Sequence, residues 1–593
     1  MKNVIMFIID SVFSDCLSNN KTEVSSTPFL DNVIAKGVFA PNVYSFGPYT
    51  DSATKGLYCG QPTLSDYGFY YSINGSKHNH YSVFKENGYK TIGLYYPYYL
   101  LSSKVEKNID VSIYTSGFLY ESVWFGKYKY YSEKESLSDF DYKVLIKFTD
   151  MLFDCWMTFY NNYNSNSISS SIIKRLKTNE NGFKALQIEK EQYEQDKQRY
   201  VGNILRLKMD HPLASINDFD FSRNVNIPLM KEVFIKHKLF LNEVYRLNKK
   251  CNKRKGRLLK NLKEAFLYLT TRKDSHLRYL MNDYLLFSST KLMRKRALGG
   301  KWQLEASAGK QVDSLIEVLT KQKDQSPFFA TLHVEEPHHN VNFFSFDAEN
   351  IERINQEIEY LKPLVDNPGK NFKGNLLYQM SLRYVDYCLK RLFTGLEDIG
   401  LLDDTIILIT ADHGSSYYSY PLRDSVTNNF FKENYKIPLI IYGKQIKPAI
   451  YNGLYDSSSI LPSLLDYAGI KNSYFLSKSI CSFKDGLGSI ITEYTGPGCP
   501  DLTSREIWIA GRSEKYTIAY KNRLFEDFKV NKPVELYNEQ IDGEELNNIV
   551  SSFDSLSTDE SLKSLVLKVE QRFIDIRNET KNIIEHFDEF NVV

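Results

Sequence analysis

Two apolar runs that each stop at an acidic residue dominate the pattern of this chain. Asn3-Val4-Ile5-Met6-Phe7-Ile8-Ile9 ends at Asp10, and Thr405-Ile406-Ile407-Leu408-Ile409 runs into Thr410-Ala411-Asp412-His413-Gly414. Apolar runs of this length without alternation predict strands covered on both faces, as in parallel sheets. Gly88 to Tyr95 and Phe328 to Val334 read as further strands, and Tyr384 to Phe393 carries helical spacing. The pattern predicts an α/β fold: a mixed, mostly parallel central sheet flanked by helices.

Character changes along the chain. Residues 1–112 and 326–470 carry the strand–helix alternation and form the two parts of one catalytic domain. Residues 113–325 hold charged stretches with apolar positions at helical spacing, such as Gln187 to Lys197, and predict a mostly helical insertion. Residues 471–593 hold short strands, Ile507 to Ala510 and Tyr516 to Tyr520. An amphipathic helix over roughly Asp559 to Phe587 follows, so this part is a small α+β subdomain.

Composition narrows the class. With 593 residues and 42% apolar content, the chain can bury a large core, and a net charge of +2 gives no global pull toward polyanions. No nucleic-acid module is visible, so nucleic acid is not expected as a partner. Asp10 stands where a signal peptide would still be apolar, and no run approaches the ~20 residues of a membrane span. The seven cysteines lack C-x-x-C pairs. The expected setting is cytoplasmic, peripheral to the inner face of the membrane if the insertion binds there. Leu247 to Lys263 contains eight Lys/Arg and no acid, and basic residues continue to Lys301. Such a stretch fits an anionic membrane or a polyanionic substrate, or is a solvated helix face.

In open α/β sheets, ligands gather at the carboxyl ends of strands. Asp10, Asp412 and His413 are therefore placed to hold one divalent cation with O/O/N ligands. The structural alternative is a helix cap at Asp10 and a polar turn at Asp412-His413.

The order of further motifs resembles the alkaline phosphatase/sulfatase superfamily over most of the chain outside its middle. Thr27-Pro28-Phe29-Leu30-Asp31 through Tyr44 is similar to the family's "TPFLDxLxxxGxxFxNxY". Thr50 to Lys55, with Gly60 ten residues after Thr50, is similar to its nucleophile loop. Glu433 to Tyr442, Ile460 to Ile470 and Glu535 to Asn548 match "EENxRVPLIIY", "DLxPTLLDLAGI" and "ELYDLxxDPGExxNL".

The resemblance implies an alkaline phosphatase-like fold, an anionic ester substrate and one divalent ion (Mn, Zn, Mg or Ca). It implies a metal tetrad of Asp10, Thr50, Asp412 and His413, similar to that of lipoteichoic acid synthases and phosphoethanolamine transferases but with Asp in place of their usual Glu. Sulfatases make a formylglycine from Cys or Ser at the head of the loop, and position 50 is Thr. Their sulfate-binding Lys and His fall at Tyr96 and Tyr98, and their Arg falls at Thr54, beside Lys55. Thr50 is thus expected as the nucleophile of a phosphodiesterase or phosphotransferase, through a phospho-threonine, with Ser52 in reserve. His338 is expected to contact the substrate or protonate its leaving group, with His339 as alternate. Lys432, Lys436, Arg512 and Lys515 fall where the family places basic residues near the anion, or are solvated surface charges; Lys55, Arg512 and Lys515 are the expected substrate contacts. A second metal site is not expected, since Glu335-Glu336-Pro337-His338 has His where two-metal members carry Asp. A sulfuric ester hydrolase and a catalytically degenerate scaffold are the alternatives.

Overall fold

In the computed structural model, β1 (Asn3–Ile9) is the strand around which the main sheet is built. It lies between β5 (Phe328–Val334) and β6 (Thr405–Ala411) and is parallel to both. Every residue from Val4 to Ile9 is at most 1% exposed, and β5 and β6 are buried throughout, so helices must cover both faces. The described residues are 1–17, 24–65, 76–95, 107–114, 180–205, 308–322, 326–334, 336–337, 360–361, 376–415, 430–494, 506–523, 533–543 and 545–585, with scattered positions at 73, 105 and 136–153.

Beyond β5 the sheet continues through β3 (Lys90–Tyr95) to β4 (Val111–Tyr114), both parallel. Beyond β6 lies β7 (Lys436–Tyr442), which runs antiparallel to β6 and to the next strand, β2 (Val38–Tyr44). Short strands β8 (Ala449–Ile450) and β9 (Tyr455–Asp456) pair with β2. The sheet is mixed and mostly parallel, the predicted α/β class.

The covering helices are α1 (Pro28–Lys36), α2 (Thr50–Cys59), α3 (His80–Glu86), α6 (Ala308–Lys321), α7 (Leu376–Asp398) and α8 (Ile460–Ala468), with α4 (Glu180–Gln195) and α5 (Lys197–Leu205) preceding α6. The α7 helix packs on both α1 and α6, while α8 packs on α2 and β6. Asp386 of α7 accepts from the backbone N–H groups of Phe29 and Leu30, capping the start of α1 from a distant element. The Glu336 carboxylate likewise accepts from Ala308 N–H at the start of α6. Because α6 also packs on β5, the α/β layer resumes at Ala308, inside the stretch expected to be insertion. The basic stretch 247–301 lies outside the described residues.

A second, antiparallel sheet runs β10 (Ser489–Tyr494), β11 (Glu506–Ser513), β12 (Tyr516–Arg523), β13 (Glu535–Asn538). Helix α9 (Glu560–Glu585) buries Leu562, Leu565, Val569, Phe573 and Ile576, an i, i+3/i+4 stripe, and packs on β11, where Gly511 lets it approach. Among the described residues, no helix is long and apolar enough to cross a membrane.

Candidate active site

Register builds the centre. Ile9 of β1 pairs with Val334 of β5 and with Ala411 of β6, so Asp10 and Asp412 emerge side by side, one residue beyond the pairing. Asp10 N–H still donates to Val334 O at 2.9 Å, which holds the end of β1 in line. Ser11 then turns the chain in the left-handed region, φ 62°, and fixes both carboxylates. Its N–H donates to Oδ1 of Asp412 at 3.0 Å and its hydroxyl to Oδ1 of Asp10 at 2.7 Å. From α7, the Tyr378 hydroxyl donates to Ser11 O and accepts from Phe13 N–H.

His413 follows Asp412 and enters from the other side. Its Nε2 lies 3.5 Å from Oδ1 of Asp10 and 3.6 Å from Oδ2 of Asp412, while Nδ1 meets Gly414 O at 2.6 Å. Gly414 is packed so closely that a Cβ there would stand 2.0 Å from Glu433 O. Thr50 is the first residue of α2, and its Oγ1 lies 3.2 Å from His413 Nε2 and 3.4 Å from Oδ2 of Asp10. Ser52 is turned away: its hydroxyl donates to Tyr49 O and accepts from Tyr49 N–H. The structure thus brings Asp10, Thr50, Asp412 and His413 to one point, all of them buried.

The electrostatics are those of a site built for positive charge. Burial, and then the neighbouring Asp412 charge, push the Asp10 carboxyl up to about 6. Burial acts on Asp412 in the same sense, yet the charges of His413 and His333 hold its carboxyl well below the usual range. Oδ2 of Asp412 is buried without a hydrogen bond. An acceptor left bare between carboxylate and imidazole groups fits a divalent cation in the gap. The start of α2 also points its helix dipole, positive end foremost, at the same place.

The other expected contacts are placed differently. Lys55 is buried on α2, but five residues on from Thr50 it stands about 140° around the helix axis, off the Thr50 face. Arg512 is not free for a substrate anion: it is buried, with its guanidinium donating to the Glu545 carboxylate, to Phe430 O and to Thr517 Oγ1. Lys515 pairs with Asp559 at 2.5 Å, and Lys436 with Asp15 at 2.6 Å. Lys432 donates through its ammonium to Gly543 O. All four bind the chain to itself: Arg512 and Lys432 tie the C-terminal segment to the main body, Lys436 pairs within the main body, and Lys515 pairs within the C-terminal part. His338 and His339 lie outside the described residues, as do Tyr96 and Tyr98. Sequence reasoning passed over Ser11 and His333. Ser11 carries no motif, while His333 is a lone imidazole in an otherwise apolar strand, a signal that was there to be read.

Comparison with known proteins bears on the family. Arylsulfatase K of Danio rerio is 27% identical over 228 residues, 35% of this chain and 41% of that protein. A multifunctional alkaline phosphatase superfamily protein, PehA of Trinickia caryophylli, is 34% identical over 88 residues, 14% of this chain and 17% of its own length. The chain therefore spans less than half the length of these relatives. Among solved structures, the phosphonate monoester hydrolase of Agrobacterium radiobacter aligns over 98% of this chain and 96% of its own, at 13% identity and a TM-score of 0.47. The sulfatase family profile matches residues 268–470, the segment that carries β5, β6, Asp412 and His413.

Proposed function

We propose that the chain is a metal-dependent hydrolase or transferase of phosphate-type esters that uses Thr50 Oγ1 as its nucleophile. The observation that carries this reading is the position of that oxygen, 3.2 Å from His413 Nε2 and 3.4 Å from Asp10 Oδ2 at the start of α2. Asp10, Asp412 and His413 are the residues that would hold the ion, and the bare Oδ2 of Asp412 is the sign that they fit one. A divalent cation held there would lower the pKa of the Thr50 hydroxyl and offset charge on the ester's non-bridging oxygens.

The residues do the rest. The Thr50 hydroxyl gives its proton to solvent, Oγ1 attacks phosphorus, and the bond to the ester oxygen breaks. The alcohol departs with a proton, a role that the family resemblance gives to His338. Water, or an acceptor hydroxyl, then attacks the phospho-threonine and regenerates Thr50. The amide dipoles at the start of α2 favour the extra negative charge of the five-coordinate transition state. Ser11 keeps both carboxylates turned toward the centre throughout.

A sulfuric ester hydrolase is the second reading, and the sulfatase profile and the arylsulfatase relative favour it. Against it stands the side chain at position 50, since threonine cannot supply the formylglycine aldehyde. Intact-mass measurement separates the two. After incubation with a bis-aryl phosphodiester and Mn²⁺ or Zn²⁺, the chain should gain the mass of an aryl phosphoryl group, and Thr50→Ala should not. Faster turnover of an aryl sulfate than of the phosphodiester would instead establish the sulfatase.

In this reading the eight Lys/Arg between Leu247 and Lys263 attract an anionic membrane or a polyanionic substrate. Each cation near such a surface contributes about 1 kcal/mol at low salt. Binding to anionic liposomes should weaken steeply as salt rises and be lost when Lys253, Arg254, Lys255 and Arg257 are neutralised; salt-insensitive binding, or none, removes the membrane from the proposal.

A further inference from the structure

His333 has no part in the chemistry described so far, yet its ring faces the same point. It stands on β5 opposite Ile8 of β1, buried, with Nε2 3.6 Å from Oδ2 of Asp412. One ligand atom each from Asp10, His333 and Asp412 lies within 4.8 Å of the other two. Oδ2 of Asp412 thus sits 3.6 Å from the Nε2 atoms of both His333 and His413 and accepts a hydrogen bond from neither. A hydrogen bond to a ring nitrogen would bring these atoms to about 2.7–3.2 Å. Separations of about 3–3.6 Å are those of ligands that share one cation at about 2.0–2.1 Å each.

The far side of the ring is held as firmly. Nδ1 of His333 lies 2.8 Å from the Tyr58 hydroxyl, and the Tyr58 ring is stacked on His80 with centroids 4.3 Å apart. Gln311 of α6 donates to the carbonyl of His333 at 2.7 Å, which fixes the backbone below the ring. Tyr58 belongs to α2, the helix that begins with Thr50.

We propose that His333 is a ligand of the same cation as Asp10, Asp412 and His413, and that the Tyr58 hydroxyl selects its tautomer. Tyr58 Oη accepts the Nδ1–H of His333, which leaves the Nε2 lone pair directed at the ion. The proposal rests on the cation-assisted reading above and makes it more specific. Two imidazoles with two carboxylates form a borderline N/O set that suits Zn²⁺, Mn²⁺ or Fe²⁺, whereas Ca²⁺ and Mg²⁺ prefer all-oxygen sets. Because Tyr58 and Thr50 share α2, the ring that binds the ion also helps fix the helix that carries the nucleophile.

The test uses the full chain stripped of metal and reloaded with Mn²⁺, and pulsed electron paramagnetic resonance counts the bound imidazole nitrogens. Two couplings are expected in the wild type and in Thr50→Ala, and one in His333→Gln. Chelator competition should show Zn²⁺ bound more tightly than Ca²⁺, with at least a tenfold loss in His333→Gln. Tyr58→Phe should keep both couplings while binding metal about 10–100-fold more weakly, the usual effect of removing a group that orients a ligand. A single coupling in the wild type overturns the proposal even if the His333 variant fails to fold, and leaves the Thr50 chemistry standing. Tighter binding of Ca²⁺ than of Zn²⁺ overturns it as well. Two couplings in a protein that never acquires a phosphoryl group would sink the parent reading and keep the ligand assignment.

Discussion

Thr50 and Ser52 lie two residues apart at the start of α2, and their hydroxyls do opposite things. The first faces Asp10 and His413, while the second closes a local turn onto the Tyr49 backbone. Thr50→Ala should therefore lower phosphodiester turnover by at least about three orders of magnitude with little change in thermal stability, and Ser52→Ala far less. Near wild-type turnover in Thr50→Ala would disprove the covalent route. Gly414 gives a second expectation. A Cβ 2.0 Å from Glu433 O cannot be accommodated without moving the backbone that aims His413, so Gly414→Ala should cost about 1–3 kcal/mol and release metal. Thermal melting with metal analysis checks both. The sequence made Asp10, Asp412 and His413 legible because polar residues at the ends of apolar runs stand out. It hid the engagement of Arg512, since whether a cation meets a substrate or Glu545 depends on contacts between distant segments.

At the scale of elements, the capping of α1 by Asp386 carries a pH signature. Burial pushes this carboxyl up to about 6, although the Leu30 and Phe29 amides and Arg383 pull it down. A folded-state value above the ordinary 3.8 means that the native chain holds a proton the unfolded chain has released. This contribution is complete below about pH 4 and is lost as pH rises through 6. Asp386→Asn should flatten that fall between pH 4 and 6, by something on the order of 1–3 kcal/mol. Parallel melts of the two proteins across that range would show it, and superimposable pH slopes would refute it. The strands β1, β5 and β6 were readable as unbroken apolar runs and α7 as a periodic one. The start of α6 was not, because nothing local in residues 300–325 says that this helix packs on β5.

Across the whole molecule, two sheets meet at a buried ion pair. Arg512 of β11 joins Glu545 to Phe430 O and lies beneath the rings of Tyr44 and Tyr435, which belong to the main body. Arg512→Met should cost about 3–5 kcal/mol, since it leaves the Glu545 carboxylate buried without its partner. Replacing both, Arg512→Met with Glu545→Leu, should recover most of that loss, and urea unfolding of the three proteins decides it. If the double variant is no more stable than the single one, the pair does more than neutralise itself. The mixed sheet and the short strands Ile507 to Ala510 and Tyr516 to Tyr520 were legible, whereas the joint between the two sheets was not. β1 is translated before its partners β5 and β6, which begin at Phe328 and Thr405. β1 must therefore wait without these partners while the ribosome adds the stretch from Asp10 to Phe328. Such a nascent chain exposes a sticky edge for tens of seconds at about 5–20 residues per second, so shielding of β1 by holdase chaperones should raise its yield in a cell.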